Sequence, residues 1–436
     1  MKKPNIVLIV CHDIGQHLNC YGIKTVSTPS IDQIANEGIR FENSFCTSPS
    51  CSPSRASIFT GRYPHNNGVM GLTHAYFAWD FNPGEKHLCV LLKDAGYKTA
   101  LIGMQHEARN AKSLKFDYLD ELHEPEKNLA MTCEDTAERS CKYLEKAVKE
   151  EKPFYLQIGF YEPHRKFDFG GAKPDDSNGV YVPAYLQNEP SAQKEFAEYQ
   201  GIIKKVDASI GKILKKIDKC KISDNTILIF TADHGIPFPR AKCSLYEPGL
   251  QVPFIIKWPQ RNWIGGKVKS EMISNIDYVP TILDAIGADI PKNIQGKSFC
   301  SLLDGKNYQP NNEIFAEMTY HDYYDPRRSL RTDKYKLIAN FSTAFFFMNP
   351  SQTYRPATIT VDPKEPTWIF HPNLELYDLN NDPLETVNLI QNSQYSEIKK
   401  ELCIKLLNWM KQTNDPLLLG AVTPPHHTIT LNLLGA

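Results

Sequence analysis

Cys51-Ser52-Pro53-Ser54-Arg55-Ala56-Ser57-Ile58-Phe59-Thr60-Gly61 is the stretch around which the chain is organised. Proline fixes φ and suits the first turn of a helix. The residues therefore predict a short helix from Pro53 to Thr60, with Gly61 placed to end it. Cys51 then falls just outside the helix N-terminus, where free backbone N–H groups and the positive end of the helix dipole favour an anion. Arg55 lies about one turn further on and leans back toward the cysteine. A nucleophile position, an anion seat and a fixed cation are packed together.

Working outward, the apolar run Ile6 to Val10 predicts a buried strand that ends at Cys11-His12-Asp13. Lys98 to Gly103 predicts a second strand, followed by Met104-Gln105-His106, and Phe154 to Phe160 a third, followed by Tyr161-Glu162-Pro163-His164. Thr226 to Phe230 predicts a fourth, ending in Thr231-Ala232-Asp233-His234-Gly235, and Val252 to Ile256 another. Helical patterns fall between them, from Thr28-Pro29 to Gly38 and at 86–96, 132–150, 193–219 and 278–286. Strands alternating with helices imply an α/β fold with a mainly parallel central sheet flanked by helices. In such a sheet, sites are built at the C-terminal ends of the strands. Four strands deliver polar or ionisable groups at that edge.

The pattern changes after about residue 310. Pro310-Asn311-Asn312 reads as a linker. Tyr335 to Ile338, an aromatic irregular region, Leu374 to Asp378 and a helix near 396–412 then predict a smaller C-terminal α+β domain. The division expected is 1–310 and 311–436.

With 436 residues, 41% hydrophobic and 23% charged, the composition is that of a globular protein with a large core. A net charge of -1 supplies no global basic field for nucleic acid, so an anionic substrate must be met by local cations. No stretch approaches the ~20 apolar residues of a membrane span. The apolar run after Pro4 is too short for a signal-peptide core with a cleavage site. The cysteines, 11 in number, are scattered without a CxxC pair, which argues against a disulfide framework and for a reducing cytoplasm.

The Cys51 motif, complete as Cys51, Pro53, Ser54, Arg55, Thr60 and Gly61, resembles the signature of the formylglycine-dependent (type I) sulfatases. The resemblance extends over nearly the whole chain and implies an alkaline-phosphatase-like fold. Asp233-His234-Gly235-Ile236-Pro237-Phe238-Pro239, Leu245-Tyr246, Pro248-Gly249, Arg328-Ser329-Leu330-Arg331 and the segment from Glu375 to Leu389 are most similar to the heparan N-sulfatase (sulfamidase) branch.

The resemblance implies that a sulfatase-maturing enzyme oxidises Cys51 to formylglycine, whose hydrate attacks sulfur. It implies a dication, usually calcium, with Mn2+ or another transition metal as the alternative. The ligands it points to are His12, Asp13, residue 51, Asp233 and His234. His12 stands where the family carries a first aspartate, which lowers the charge of the site and weakens the case for calcium. His106 matches the histidine of the family's Gly-Lys-x-His element, but the lysine is Met104, which cannot donate to a sulfate oxygen. His164 matches the family's Pro-His element. Lys242 takes the place of a sulfate-binding base, with Arg240 in reserve.

In the implied two-step reaction Arg55 and the metal favour the ionised nucleophile, His164 or Lys242 protonates the leaving group, and His106 takes the second hydroxyl proton. The substrate implied is a sulfated mono- or oligosaccharide of the glycosaminoglycan type, such as N-sulfoglucosamine. The arginines 327, 328 and 331 are candidate contacts to a sugar acid, Arg328 foremost. Two other readings stay open at this point: a phosphonate monoester or phosphodiester hydrolase, and a non-catalytic glycan-binding relative.

Overall fold

The computed structural model describes residues 3–74, 76–124, 129–344 and 370–435. Its central sheet takes eight strands: β1 (Asn5–Cys11), β2 (Ile39–Phe41), β3 (Lys98–Gly103), β4 (Tyr118–Asp120), β5 (Phe154–Gly159), β6 (Thr226–Ala232), β7 (Phe254–Lys257) and β8 (Lys267–Lys269), in the order β8-β2-β7-β6-β1-β5-β3-β4. The strands β1, β3, β5 and β6 run parallel to their neighbours in that group. Only β7 pairs antiparallel, with β6 and β2. The sheet is thus mainly parallel, with one reversed strand toward an edge.

Side chains of a strand alternate between faces. Ile6, Leu8 and Val10 enter one core cluster, while Val7, Ile9 and Cys11 enter the other. Both clusters are fully covered, which is why β1 reads as an unbroken apolar run. The first is closed by α2 (Cys51–Thr60), α3 (Leu88–Asp94) and α6 (Tyr278–Ala285). The second is closed by α1 (Pro29–Glu37), α4 (Cys133–Ala147) and α5 (Pro190–Lys219). Close backbone approach at the site edge needs glycine: a Cβ on Gly159 would stand 1.7 Å from the Met104 carbonyl oxygen.

One boundary of the Cys51 helix differs from expectation. Helix α2 starts at Cys51 rather than Pro53, with Ser50 extended before it (φ -136°, ψ 142°). Cys51 is therefore the first helical residue, not a residue outside the helix. Gly61 closes α2 in the left-handed conformation at φ 68°, as expected.

Beyond the linker a second sheet forms from β9 (Ile314–Tyr320), β10 (Tyr324–Arg331), β11 (Tyr335–Asn340) and β12 (Leu374–Asp378), antiparallel in chain order. Strands β9 and β10 were not apparent from the sequence, because Glu317, Arg327, Arg328 and Arg331 interrupt their apolar alternation. One face packs on the first domain, with Ile314, Ala316, Met318 and Ile338 against Phe45, Leu250 and Val252. The other face receives α7 (Ser396–Gln412), whose Trp409 stacks on Phe315 at 4.9 Å. Helix α8 (Pro425–Leu434) follows. Most of the expected aromatic irregular region lies outside the described residues. Among the described residues no helix is long and apolar enough to cross a membrane.

Candidate active site

The parallel strands β1, β3, β5 and β6 end at one edge of the sheet, and α2 points its N-terminus at the same edge. Donor atoms of His12, Asp13, Cys51, Asp233 and His234 all lie within 4.8 Å of one another, and all five residues are buried. The five positions singled out from three separate stretches of sequence thus meet at one point.

The cluster is held by backbone and side chain together. The Asp13 amide donates to Asp233 Oδ1 at 3.0 Å, and Tyr199 Oη donates to the Asp13 carbonyl at 2.6 Å. Asp13 sits at φ 47° and His106 at φ 87°, conformations that a non-glycine residue holds only when its surroundings enforce them. Asn275 Nδ2 donates to Ser54 Oγ at 3.0 Å, and Ser54 in turn donates to the Asp233 carbonyl. The first turn of α2 is therefore bolted to the end of β6.

Two cations face the two carboxylates. Arg55 Nε donates to Asp233 Oδ2 at 2.9 Å and Arg55 Nη1 to the Gln105 carbonyl at 3.3 Å. Lys242 Nζ donates to Asp13 Oδ1 at 3.0 Å and Oδ2 at 2.9 Å. Burial pushes the Asp13 carboxyl up, but Lys242, His12 and His234 outweigh it and hold the group well below the usual carboxylate range. Burial likewise opposes the Cys51 thiolate, yet Lys242, His12 and His234 bring the thiol well below its ordinary value. The position of residue 51 is therefore one that stabilises an anion.

Imidazoles other than His12 also border residue 51. His234 Nε2 is 3.4 Å from Cys51 Sγ, and the other ring nitrogen, Nδ1, donates to the Gly235 carbonyl at 2.9 Å. His106 favours the Cys51 thiolate, and Cys51 in turn raises the basicity of His321, so both rings belong to the surroundings of the thiol. His164 stands further out: its Nε2 is 4.0 Å from Asp13 Oδ2, and its side chain keeps 26% exposure. Nδ1 of His164 donates to the Arg165 carbonyl at 2.6 Å, which leaves Nε2 as an acceptor toward the cavity.

His74 and His321 were not singled out from the sequence. His74 Nδ1 lies 2.5 Å from His106 Nε2. It comes from an irregular loop that carries no signal of its own. His321 and Asp322 directly follow β9, and their ring nitrogen and carboxylate are 3.2 Å apart. The rule that worked for the first domain, polar groups just past a strand, would have found His321 had β9 been recognised.

The proposed arginine contacts need correction. Arg328 has no exposed surface; Nε and Nη2 donate to Asp415 at 2.5 and 3.0 Å, and Nη1 to the Met318 carbonyl at 3.0 Å. Arg327 is buried against Asp325, and Arg331 against Glu247 at 3.2 Å. Arg240 donates to the Leu384 and Glu385 carbonyls at 2.9 Å each and lies over the Tyr246 ring. These guanidinium groups join segments of the interior and present nothing to a sugar. Met104, in the slot of a family lysine, is buried, with 2% exposure.

The donor set fits a dication. Two carboxylates and two ring nitrogens converge, and the hydrogen bond from His234 Nδ1 to Gly235 fixes the tautomer whose Nε2 lone pair faces inward.

The sulfatase family model matches residues 4–288, and a model described as the C-terminal part of N-sulphoglucosamine sulphohydrolase matches residues 238–371. The chain belongs to the sulfatase family, and within it to the sulfamidase-like branch. An ulvan-active sulfatase of Formosa agariphila is 30% identical over 95% of this chain and 82% of its own length. Human N-sulphoglucosamine sulphohydrolase is 27% identical over 95% of this chain and 91% of its own. A protein solved in complex with its substrate D-glucosamine-2-N,6-O-disulfate shares the fold with a TM-score of 0.76 at 23% identity, covering 95% of this chain and 99% of that one.

Proposed function

We propose that this sulfatase removes sulfate from sulfated amino sugars of the glycosaminoglycan type, as O-sulfate esters or N-sulfates, after a maturing enzyme has turned Cys51 into formylglycine. The observation that carries the reading is residue 51 itself. It opens α2 within 3.4 Å of His234, in a pocket whose cations stabilise an anion there. The substrate class is supported by human N-sulphoglucosamine sulphohydrolase and by the solved protein bound to its disulfated glucosamine, both similar to this chain over most of its length.

The roles follow from position. A dication at His12, Asp13, Asp233 and His234, for which calcium is the family expectation, would supply positive charge at the attacking and sulfate oxygens. Arg55 orients Asp233 and adds fixed positive charge at the N-terminus of α2. Lys242, held charged because Asp13 and Cys51 outweigh its burial, faces the sulfate. His106 lies within reach of residue 51 and takes its second hydroxyl proton. His164 Nε2 stands at the more open side, where the leaving group departs; burial and Lys242 bring its basicity down to about 3, so it accepts a hydrogen bond from the departing group's N–H or hydroxyl and Lys242 is the proton donor. We assign residues 1–310 to the catalytic domain and 311–436 to the smaller one, which contributes His321. A reducing, cytoplasmic setting belongs to the same reading and is supported by cysteines that stand as free thiols.

His321 tests the contribution of the smaller domain. Burial lowers its basicity, but Cys243, Asp322 and Cys51 raise it well above the ordinary histidine value. His321→Gln is expected to lower kcat by ~10²-fold, the usual scale for one positioned proton donor. Steady-state kinetics of the matured enzyme measure it.

The function itself is tested by turnover of defined N-, 6-O- and 2-O-sulfated glucosamines beside the matching aryl sulfate and aryl phosphate diesters. Intact mass is read in parallel for replacement of the thiol by an aldehyde. Sulfate release from a sulfated amino sugar is the expected result. Preference for the phosphodiester would move the protein to the related hydrolases. Full conversion with no turnover would leave a glycan-binding relative.

A further inference from the structure

Among the four groups beside residue 51, two present ring nitrogens rather than oxygen. His12 Nδ1 lies 2.7 Å from Asp13 Oδ1 and 3.2 Å from Asp233 Oδ2, so the ring faces the carboxylates. His234 Nε2 lies 3.0 Å from Asp13 Oδ1. Its orientation is enforced through Gly235, whose carbonyl accepts from Nδ1 and whose amide donates to the Gly249 carbonyl at 3.0 Å. A Cβ at Gly235 would stand 1.8 Å from the Pro248 carbonyl oxygen, so that backbone is pressed into place.

Calcium is bound by six to eight oxygens and by the negative charge they carry. Here the oxygens come from two carboxylates, and each already faces a buried cation: Asp233 faces Arg55 and Asp13 faces Lys242. The net charge of those four groups is nil. A cation that depends on charge and oxygen count alone gains little from them. A borderline cation that accepts imidazole nitrogen gains two strong donors, and two nitrogens with two carboxylate oxygens supply the mixed set such an ion takes, with room to add a substrate oxygen by expanding to five ligands.

We propose that His12 turns this site from calcium to a transition dication of the zinc type, taken by His12 Nδ1, His234 Nε2 and one oxygen each of Asp13 and Asp233. The inference rests on the cation-dependent reading given above and narrows the ion it uses.

The test uses the full chain carrying Cys51→Ser, so that a thiolate does not decide the outcome. Metal-stripped protein is titrated with Zn2+ and with Ca2+ by calorimetry, with and without His12→Asp. Zinc is expected to bind with a stoichiometry of one. His12→Asp is expected to weaken zinc by ~10–100-fold, the scale on which altered metal-site groups act, and to strengthen calcium. Because His12→Asp could fail to fold, zinc K-edge absorption of the Cys51→Ser protein is read as well, and is expected to show two imidazoles in the shell. An oxygen-only shell, or calcium bound no more tightly after His12→Asp, overturns the proposal and leaves the sulfatase reading intact. Failure of both ions to bind overturns the proposal together with the cation-dependent reading.

Discussion

Cys51→Ala is expected to lower sulfate release by ~10⁴–10⁶-fold, the loss seen when the nucleophile of a covalent mechanism is removed. No neighbouring group can take its place. Lys242 is committed to Asp13, and Arg55 to Asp233. Of the two serines that flank residue 51, Ser52 turns its Oγ to accept from the Thr73 amide at 3.2 Å, off toward another loop, and Ser50 lies in the extended segment before the helix. The fold should survive. Residue 51 is the first residue of α2, where alanine is fully compatible. Losing one buried sulfur costs ~1–2 kcal/mol in a core that otherwise stays packed. Turnover of the matured enzyme, with chemical unfolding as the control, separates the two effects. Retained turnover would end the proposal that residue 51 carries the chemistry.

The largest loss of stability is expected from Arg328→Met, about 3–5 kcal/mol, because one partner of a buried pair is removed. Asp415 accepts two hydrogen bonds from Arg328 across 87 positions of sequence. Glu317 is 3.9 Å from the same guanidinium and also holds the His65 amide at 2.9 Å. Without the arginine, Asp415 loses its two charge-assisted hydrogen bonds and Glu317 keeps only the His65 ring beside it, in the interior at the seam where the His65 segment, β9, β10 and the end of α7 meet. Urea unfolding measures the loss. KM for a sulfated sugar, measured where the variant is folded, is expected to stay unchanged. A raised KM with unchanged stability would restore the substrate contact first expected of this residue.

The candidate site was legible because its signals are local. Each of Asp13, His106, His164 and Asp233-His234 follows a strand that announces itself by a run of apolar residues, and parallel strands carry their ends to one edge. The Cys51 helix announces itself by proline at its start and glycine at its end. Arg328 and its neighbours were misjudged because a charged residue in a half-read strand looks the same whether it faces water or a buried aspartate. The face it takes is set by the register of β10 between β9 and β11, and its partner lies beyond α7. His321 was missed for the related reason that β9 hides a buried glutamate in its pattern.

By itself, then, the sequence determined the α/β alternation, the edge at which chemistry collects and the residues that the first domain brings there. Periodicity and caps act over a few residues, and a strand need only end for its polar neighbours to be presented. Tertiary structure alone decided which cations face the site and which staple the interior, that His74 and His321 join it, and that the two ring nitrogens of His12 and His234 turn toward the same carboxylates. Those outcomes depend on partners brought together from distant positions by core packing, and no local pattern encodes which charge will meet which.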